Sequence, residues 1–463
     1  MLNKFVDHFF RPLDASSVAV FRIGFGLVML IDAIGHIGFV DLQSMYVEPT
    51  VFFKYYGFEW LPALREGVYW VYGISAIASL GLMLGFHYRI STAIVAICNA
   101  AIFLQDQAQY LNHLYLLILF SSVMVFVPAH RYWSLDAKRN PAIANDTLPA
   151  WCRILLIVQL EIILIYAGIV KINPDWLQLE PLATWLAKRQ HMPFVGELFM
   201  DPNMITLAAY GVIALHLVGA PLLLFKRTRL YVIIVYACFH TLNHFVFDIG
   251  VFPWVTLFAS LLCFEPDWPR RFWAKLKRTS YQAPTLTPIA MPAKPIATTI
   301  TISVCAWLVF QTVVPLRNYA YAGDVAWNEA GHRFSWRMKL RSKQGTAIFI
   351  IQDPATGKRW RFDPRPMLNR RQKFKMPCQP DMILQMAHYL RDHLAPEKFN
   401  VNNPQVYVRT YCRLNYRQPA MFIDPKVDLA KTTRHLGNND WVLPLTKPLN
   451  PKHLPDWFPK FEK

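Results

Sequence analysis

The stretch ILLIVQLEIILIYAGIV (residues 154–170), followed at once by KINPDW (171–176), decides how this 463-residue chain is read. The apolar run meets the minimum of about 17 residues for a helix that spans a bilayer. A lysine, Lys171, stands at its end. An ammonium in a low-dielectric setting is costly unless it is paired or used, and the same setting makes lysine a usable base. Three histidines, His113, His240 and His244, also stand at ends of apolar runs.

The rest of the chain extends this pattern. It is 54% hydrophobic and 17% charged, with a mean hydropathy of +0.22. Soluble domains are about a quarter charged, and the deficit lies in residues 1–320, which read as a polytopic α-helical membrane domain. Nine apolar runs predict about nine spans: 17–37, 68–86, 90–106, 112–128, 152–170, 204–225, 229–245, 248–264 and 297–315. Residues 321–463 are charged and punctuated by proline, and they predict a smaller α+β domain able to fold in water. The net charge of +18 does not point to nucleic acid, because much of it sits in short loops where basic residues set topology. Seven cysteines show no CxxC and no regular spacing, which argues against a disulfide framework. The first apolar run has no small-residue cleavage site.

The loops orient the chain. With the N-terminus inside, the inner segments hold 16 Lys and Arg, and the outer loops hold five: Lys54, Arg65, Lys171, Lys188 and Arg189. The bias predicts an N-in protein with an odd number of spans and the C-terminal domain outside. On that map separate segments bring Asn112, His113, Lys171, His240, Asn243 and His244 to the outer face, which predicts one cavity near the outer leaflet. Plainer readings exist for each. Lys171 suits an interfacial anchor, Asn112 a helix cap, and His216, Glu161 and Asp32 suit interhelical hydrogen bonding. His240 and His244, spaced i, i+4, also suit a metal oxidase site with His113 and Asp106, although His-rich boxes are lacking. A non-catalytic membrane binding protein is a third reading.

Several strings together resemble the vitamin K-dependent γ-glutamyl carboxylase family, in a bacterial-type form with an HTTM-type membrane domain. They are Phe9 to Asp14 with Val20-Phe21-Arg22; Asn112-His113-Leu114-Tyr115; Tyr132 to Asp136; Ala167 to Lys171 with Asp175-Trp176; Phe239-His240 through Asn243; Ile249 to Phe252; Glu265 to Arg270; Trp327-Asn328; Ser335-Trp336 with Met338; and Phe422 to Asp428. The resemblance implies a carbon–carbon lyase that converts protein-bound glutamate to γ-carboxyglutamate with O2 and CO2. It couples this to oxidation of vitamin K hydroquinone (phylloquinol or menaquinol) to the epoxide, and no metal is implied. By motif it implies Lys171 as the base and His113 and His240 as its catalytic partners. Asn112, His113, Lys171, His240 and Asn243 would bind the cofactor, a lipidic quinol drawn from the bilayer. Trp327, Trp336, Arg370 and Arg371 are the candidates for a Glu-containing peptide or protein substrate. The setting implied is a bacterial plasma membrane with the site facing outward. Two departures stand out. Val170 replaces the first of the family's paired lysines, and the family's C-terminal disulfide partner falls at Tyr389, which implies that this bridge is absent.

Within the C-terminal domain, Phe334–Leu340, Thr346–Gln352 and Val406–Tyr411 predict strands, 353–357 a turn, and Asp381–Leu394 a helix.

Overall fold

The computed structural model describes residues 2–247, 249–283 and 285–449. Among these residues six helices are long and apolar enough to cross a membrane. They are α1 (Ser16–Phe39), α2 (Gly67–Leu84), α5 (Ala150–Ile169), α6 (Pro202–Leu222), α7 (Arg229–Phe247) and α9 (Lys294–Ala320). Three shorter apolar helices, α3 (Tyr88–Phe103), α4 (Asn112–Met124) and α8 (Phe252–Cys263), fall on the other predicted runs. Their shortness has local causes. Asp106 caps a tight turn over Gln107–Gln109 just beyond α3. Pro128 follows α4 closely, and proline disfavours a helix at the residue before it. A turn with Gly250 at φ +58° precedes α8.

α5 is the most buried of the long helices. It packs against α6, α8 and α9, so the run quoted at the outset is the centre of the membrane domain. Two features fix the opposite end of the domain from the cavity described below. The Arg22 guanidinium, fully buried in α1, donates to the carbonyls of Ala129, Tyr132 and Trp133. Arg270 reaches the carboxylate of Asp14 at 2.8 Å, while the Ser17 amide donates to the carbonyl of Pro266.

The C-terminal region is α+β. Strands β1 (Lys343–Gln352), β2 (Arg359–Phe362), β3 (Gln405–Leu414) and β4 (Ala420–Met421) form an antiparallel sheet in the order β2-β1-β3-β4. Alternate residues turn inward, with Ala347, Phe349 and Ile351 on β1 and Val406, Val408 and Leu414 on β3. They pack on the apolar face of the helix Pro380–Tyr389 through Met382, Ile383 and Met386. β1 and β3 contain the strands expected at Thr346–Gln352 and Val406–Tyr411, and their burial alternates with period two; β2 and β4 were not expected. Residues 353–357 form the predicted turn, and the predicted helix continues to Leu394 as a π-helical segment.

Two expectations are corrected. Phe334–Leu340 is a kinked connector instead of a strand, because Phe334, Trp336 and Lys339 all have positive φ, which a strand of ordinary residues does not accept. Its aromatic side chains turn toward the membrane domain. Phe334 packs against Tyr110 and Tyr115, and Trp336 stacks on Tyr115. A disulfide is also present, joining Cys378 to Cys412. Irregular spacing in sequence hid a pair that folding brings together. Cys412 lies opposite Gly345 in the β1–β3 register, where a Cβ would come within 2.6 Å of the Cys378 sulfur. Glycine there makes room for the bridge.

Candidate active site

Between the membrane helices and the C-terminal domain lies a cavity of about 980 Å³. Its wall includes Asn112, His113, Lys171, His240, Asn243 and Arg371. The structure thus brings together six of the residues singled out in the sequence.

Each arrives for a local reason. His113 sits in the first turn of α4, beneath the turn that carries Gly250, where a Cβ would lie 3.6 Å from the imidazole Nε2. His240 is buried on α7. Its Nε2 lies 3.2 Å from the Thr256 hydroxyl on α8, which itself donates to the carbonyls of Phe252 and Pro253. With the threonine proton so used, the imidazole donates through Nε2. Its Nδ1 is then a buried acceptor with no partner among the described residues.

Lys171 follows the end of α5. Its Nζ donates to the carbonyl of Ala167 at 2.8 Å and stands 5.3 Å from the centre of the Trp176 ring. Among the described residues no carboxylate pairs with it. Burial holds its ammonium down to about 8, because desolvation penalises the charged form. The indole beneath it is fixed in turn, since Trp176 Nε1 donates to the carbonyl of Ala209 on α6. His216 also lines the cavity, from a π-helical turn of α6. Gly168 lets this turn approach α5, as a Cβ there would lie 3.0 Å from the Cβ of His216.

The wall has two characters. The part between helices is apolar, with Leu164, Val212, Leu215, Phe239 and Phe252. Leu207, Val235 and Leu242, on the outward faces of α6 and α7, line it as well. The part beneath the C-terminal domain carries Arg333, Arg337, Lys339, Arg341, Lys343, Arg371 and Lys375, and among the described residues no Asp or Glu lines the cavity. Lys343 and Arg341 share Glu329, which stands behind the wall. The Lys375 ammonium donates to the carbonyls of Ala108 and Tyr110, and burial with Arg371 and Arg333 nearby pushes it down to about 7. Arg371 donates to the Gln109 side chain, and Gln372 donates to the buried carboxylate of Asp106 at 2.7 Å. The turn after α3 therefore seats the C-terminal domain on the membrane domain.

Other candidates lie elsewhere. Trp327 and Trp336 are buried and do not line the cavity. Trp327 donates through Nε1 to the carbonyl of Leu443, while its own carbonyl accepts from Lys343. Arg370 is exposed and also lies off the wall. His244 packs against Trp254, away from the wall that holds His240. Asp106 is engaged by Gln372 and the Ala108 amide. Among the described residues no three His, Cys, Asp or Glu side chains come together as a metal site would require. Of the cationic wall, Arg371 is a candidate from sequence; Arg333, Arg337, Lys339, Arg341 and Lys343 are not, because isolated charges in a polar region look like a solvated face.

Residues 10–268, more than half of the chain, match the HTTM domain family. Residues 296–448 match the vitamin K-dependent gamma-carboxylase, lumenal domain. The chain belongs to the vitamin K-dependent γ-carboxylase family. The join between the two matched regions falls just before α9, and the cavity draws its wall from both. No solved structure matches the chain.

Proposed function

We propose that this protein is an integral-membrane, vitamin K quinol-dependent γ-glutamyl carboxylase. It takes protein-bound glutamate, O2 and CO2, forms γ-carboxyglutamate, and couples this to oxidation of the hydroquinone to its epoxide. The observation that carries the reading is the divided cavity, with a desolvated lysine and two histidines beside an apolar pocket and an all-cationic wall opposite. When bound, the hydroquinone supplies with O2 the strong base that removal of a glutamate γ-proton needs.

The chain's own residues then have distinct tasks. Lys171 takes a proton at Nζ, which a partly desolvated amine does near neutral pH. His240 accepts a hydrogen bond at its unpartnered Nδ1, and His113, Asn112 and Asn243 orient quinol oxygens. A lipidic molecule enters from the bilayer past Leu207, Val235 and Leu242 on the outward faces of α6 and α7, and the apolar wall excludes water. Arg371, with Arg333 and Arg337, receives the glutamate carboxylate, since a concave wall of one sign draws in the opposite charge. Trp327 acts by supporting Lys343, and Trp336 by pegging the connector.

Nine spans, an inside N-terminus and an outside C-terminal domain fit both the loop charges and the disulfide, because disulfides persist in oxidising compartments. A bacterial plasma membrane with an outward-facing site is the setting proposed. Incubation with reduced vitamin K, labelled bicarbonate and a Glu-containing peptide tests the reading. Quinol-dependent label in the peptide is expected. Quinol consumption that requires added metal, or no reaction at all, would move the protein to another class.

A further inference from the structure

The string KINPDW contains an acid, Asp175, that the proposed reaction does not use. The Asp175 carboxylate is held by the C-terminal domain. There Arg417 holds it with both arms at 2.6 Å, and the Asn415 amide adds a third bond at 2.7 Å. All three residues are buried. Arg417 and Asn415 sit in the turn after β3, where Asn415 and Tyr416 have positive φ, so the turn is bent toward the membrane domain. Bidentate arginine–carboxylate pairs are the more strongly oriented kind. A buried pair that loses one partner leaves an uncompensated charge.

A rigid path runs from this pair to the lysine. Asp175 lies in the short helical turn Pro174–Leu177, next to Trp176. The Trp176 amide is capped by the Asn173 side chain, which also donates to the carbonyl of Val170. The Trp176 ring lies under the Lys171 ammonium. The other titratable groups around this turn include His216 on α6, His240 on α7, Tyr210 on α6, whose hydroxyl donates to the carbonyl of Leu177, and Glu180, whose carboxylate accepts from the Thr184 hydroxyl. Among the described residues neither histidine nor Glu180 forms an ion pair with Lys171.

From this geometry we infer that Arg417 is a positioning residue for the proposed base. Through Asp175 it fixes the 171–176 turn from the C-terminal domain and keeps Lys171 in the dry wall of the cavity. The inference rests on the reading of Lys171 as the base, yet its test does not require turnover. If the grip is removed, the turn loosens, water reaches the ammonium, and its titration moves toward the ordinary value for lysine.

The experiment is competitive acylation of the full-length, detergent-purified protein across pH, with the Lys171 peptide read by mass spectrometry. The wild-type midpoint is expected at about 8. Arg417→Ala and Asp175→Asn should raise it by about one pH unit or more, and Arg417→Lys, which keeps the charge but not the fork, by less. The acid limb of quinol oxidation should move with it, a shift that mere loss of folded protein does not produce. A folded Arg417→Ala protein with an unmoved midpoint overturns the inference. If Arg417→Ala fails to fold, Asn415→Ala removes one bond of the three, and an unmoved midpoint there overturns it equally. A shifted midpoint in a protein that never oxidises quinol upholds the positioning role and removes the carboxylase reading.

Discussion

At the scale of single residues, Lys171 carries the account. Its setting was legible because a charge at the end of a long apolar run has few inexpensive explanations. Lys171→Met should abolish quinol oxidation and carboxylation together, since loss of a positioned base costs about 10²–10⁴-fold. Lys171→Arg should fail as well, because guanidinium does not release its proton in this range. The sign of the pH dependence follows. The neutral amine is the working form, so activity should rise as pH climbs through about 8, and a pH–rate profile of wild type checks it. An activity falling across that interval would assign the limb to another group. His113→Ala and His240→Ala should give partial losses of about ten- to a hundredfold, measured as quinol oxidation at saturating peptide, because orientation and oxyanion support are graded terms. Of the cationic wall, only Arg371 is legible at the residue scale. Arg333, Arg337, Arg341 and Lys343 come from a connector and a strand edge, and only the kinks at Phe334 and Trp336 turn that segment toward the cavity. In sequence His216 suits an interhelical partner. It does lie 3.2 Å from the Tyr236 hydroxyl and lines the cavity besides.

Elements were legible where burial is periodic. β1 and β3 alternate inside and out, and the nine apolar runs each carry a helix. The connector at 334–340 was not, since its hydrophobic residues serve two domains at once and their backbone follows tertiary contacts instead of local propensity. The Cys378–Cys412 bridge was hidden for a similar reason. Its partners are 34 residues apart and meet only through the β1–β3 register. A closed loop of that length typically adds about 2–4 kcal/mol. Cys412→Ser should therefore lower the resistance of the C-terminal domain to denaturant by that order, with Cys378 becoming open to alkylation. Unchanged denaturation would mean that the bridge adds nothing beyond the packing around it.

At the scale of the whole molecule, the strings that resemble the family divide into two groups. One group, around His113, Lys171 and His240, lines the cavity. The other forms structural joints: Arg22 on the 129–133 carbonyls, Asp136 on the amides of His87 and Tyr88, and Arg270 on Asp14. The sequence marks both groups alike, and only the fold separates cavity wall from scaffolding. Loop charge predicts that a C-terminal reporter active only outside the cytoplasm will work and that a cytoplasmic one will not. The opposite pattern would invert the proposed orientation. The central claim meets its most direct test in one assay. Purified wild type and Lys171→Met are given reduced vitamin K, labelled bicarbonate and a Glu-containing peptide, and label in γ-carboxyglutamate is counted against epoxide formed. Both products are expected from wild type and neither from a folded Lys171→Met. Equal product from the two proteins would contradict the claim.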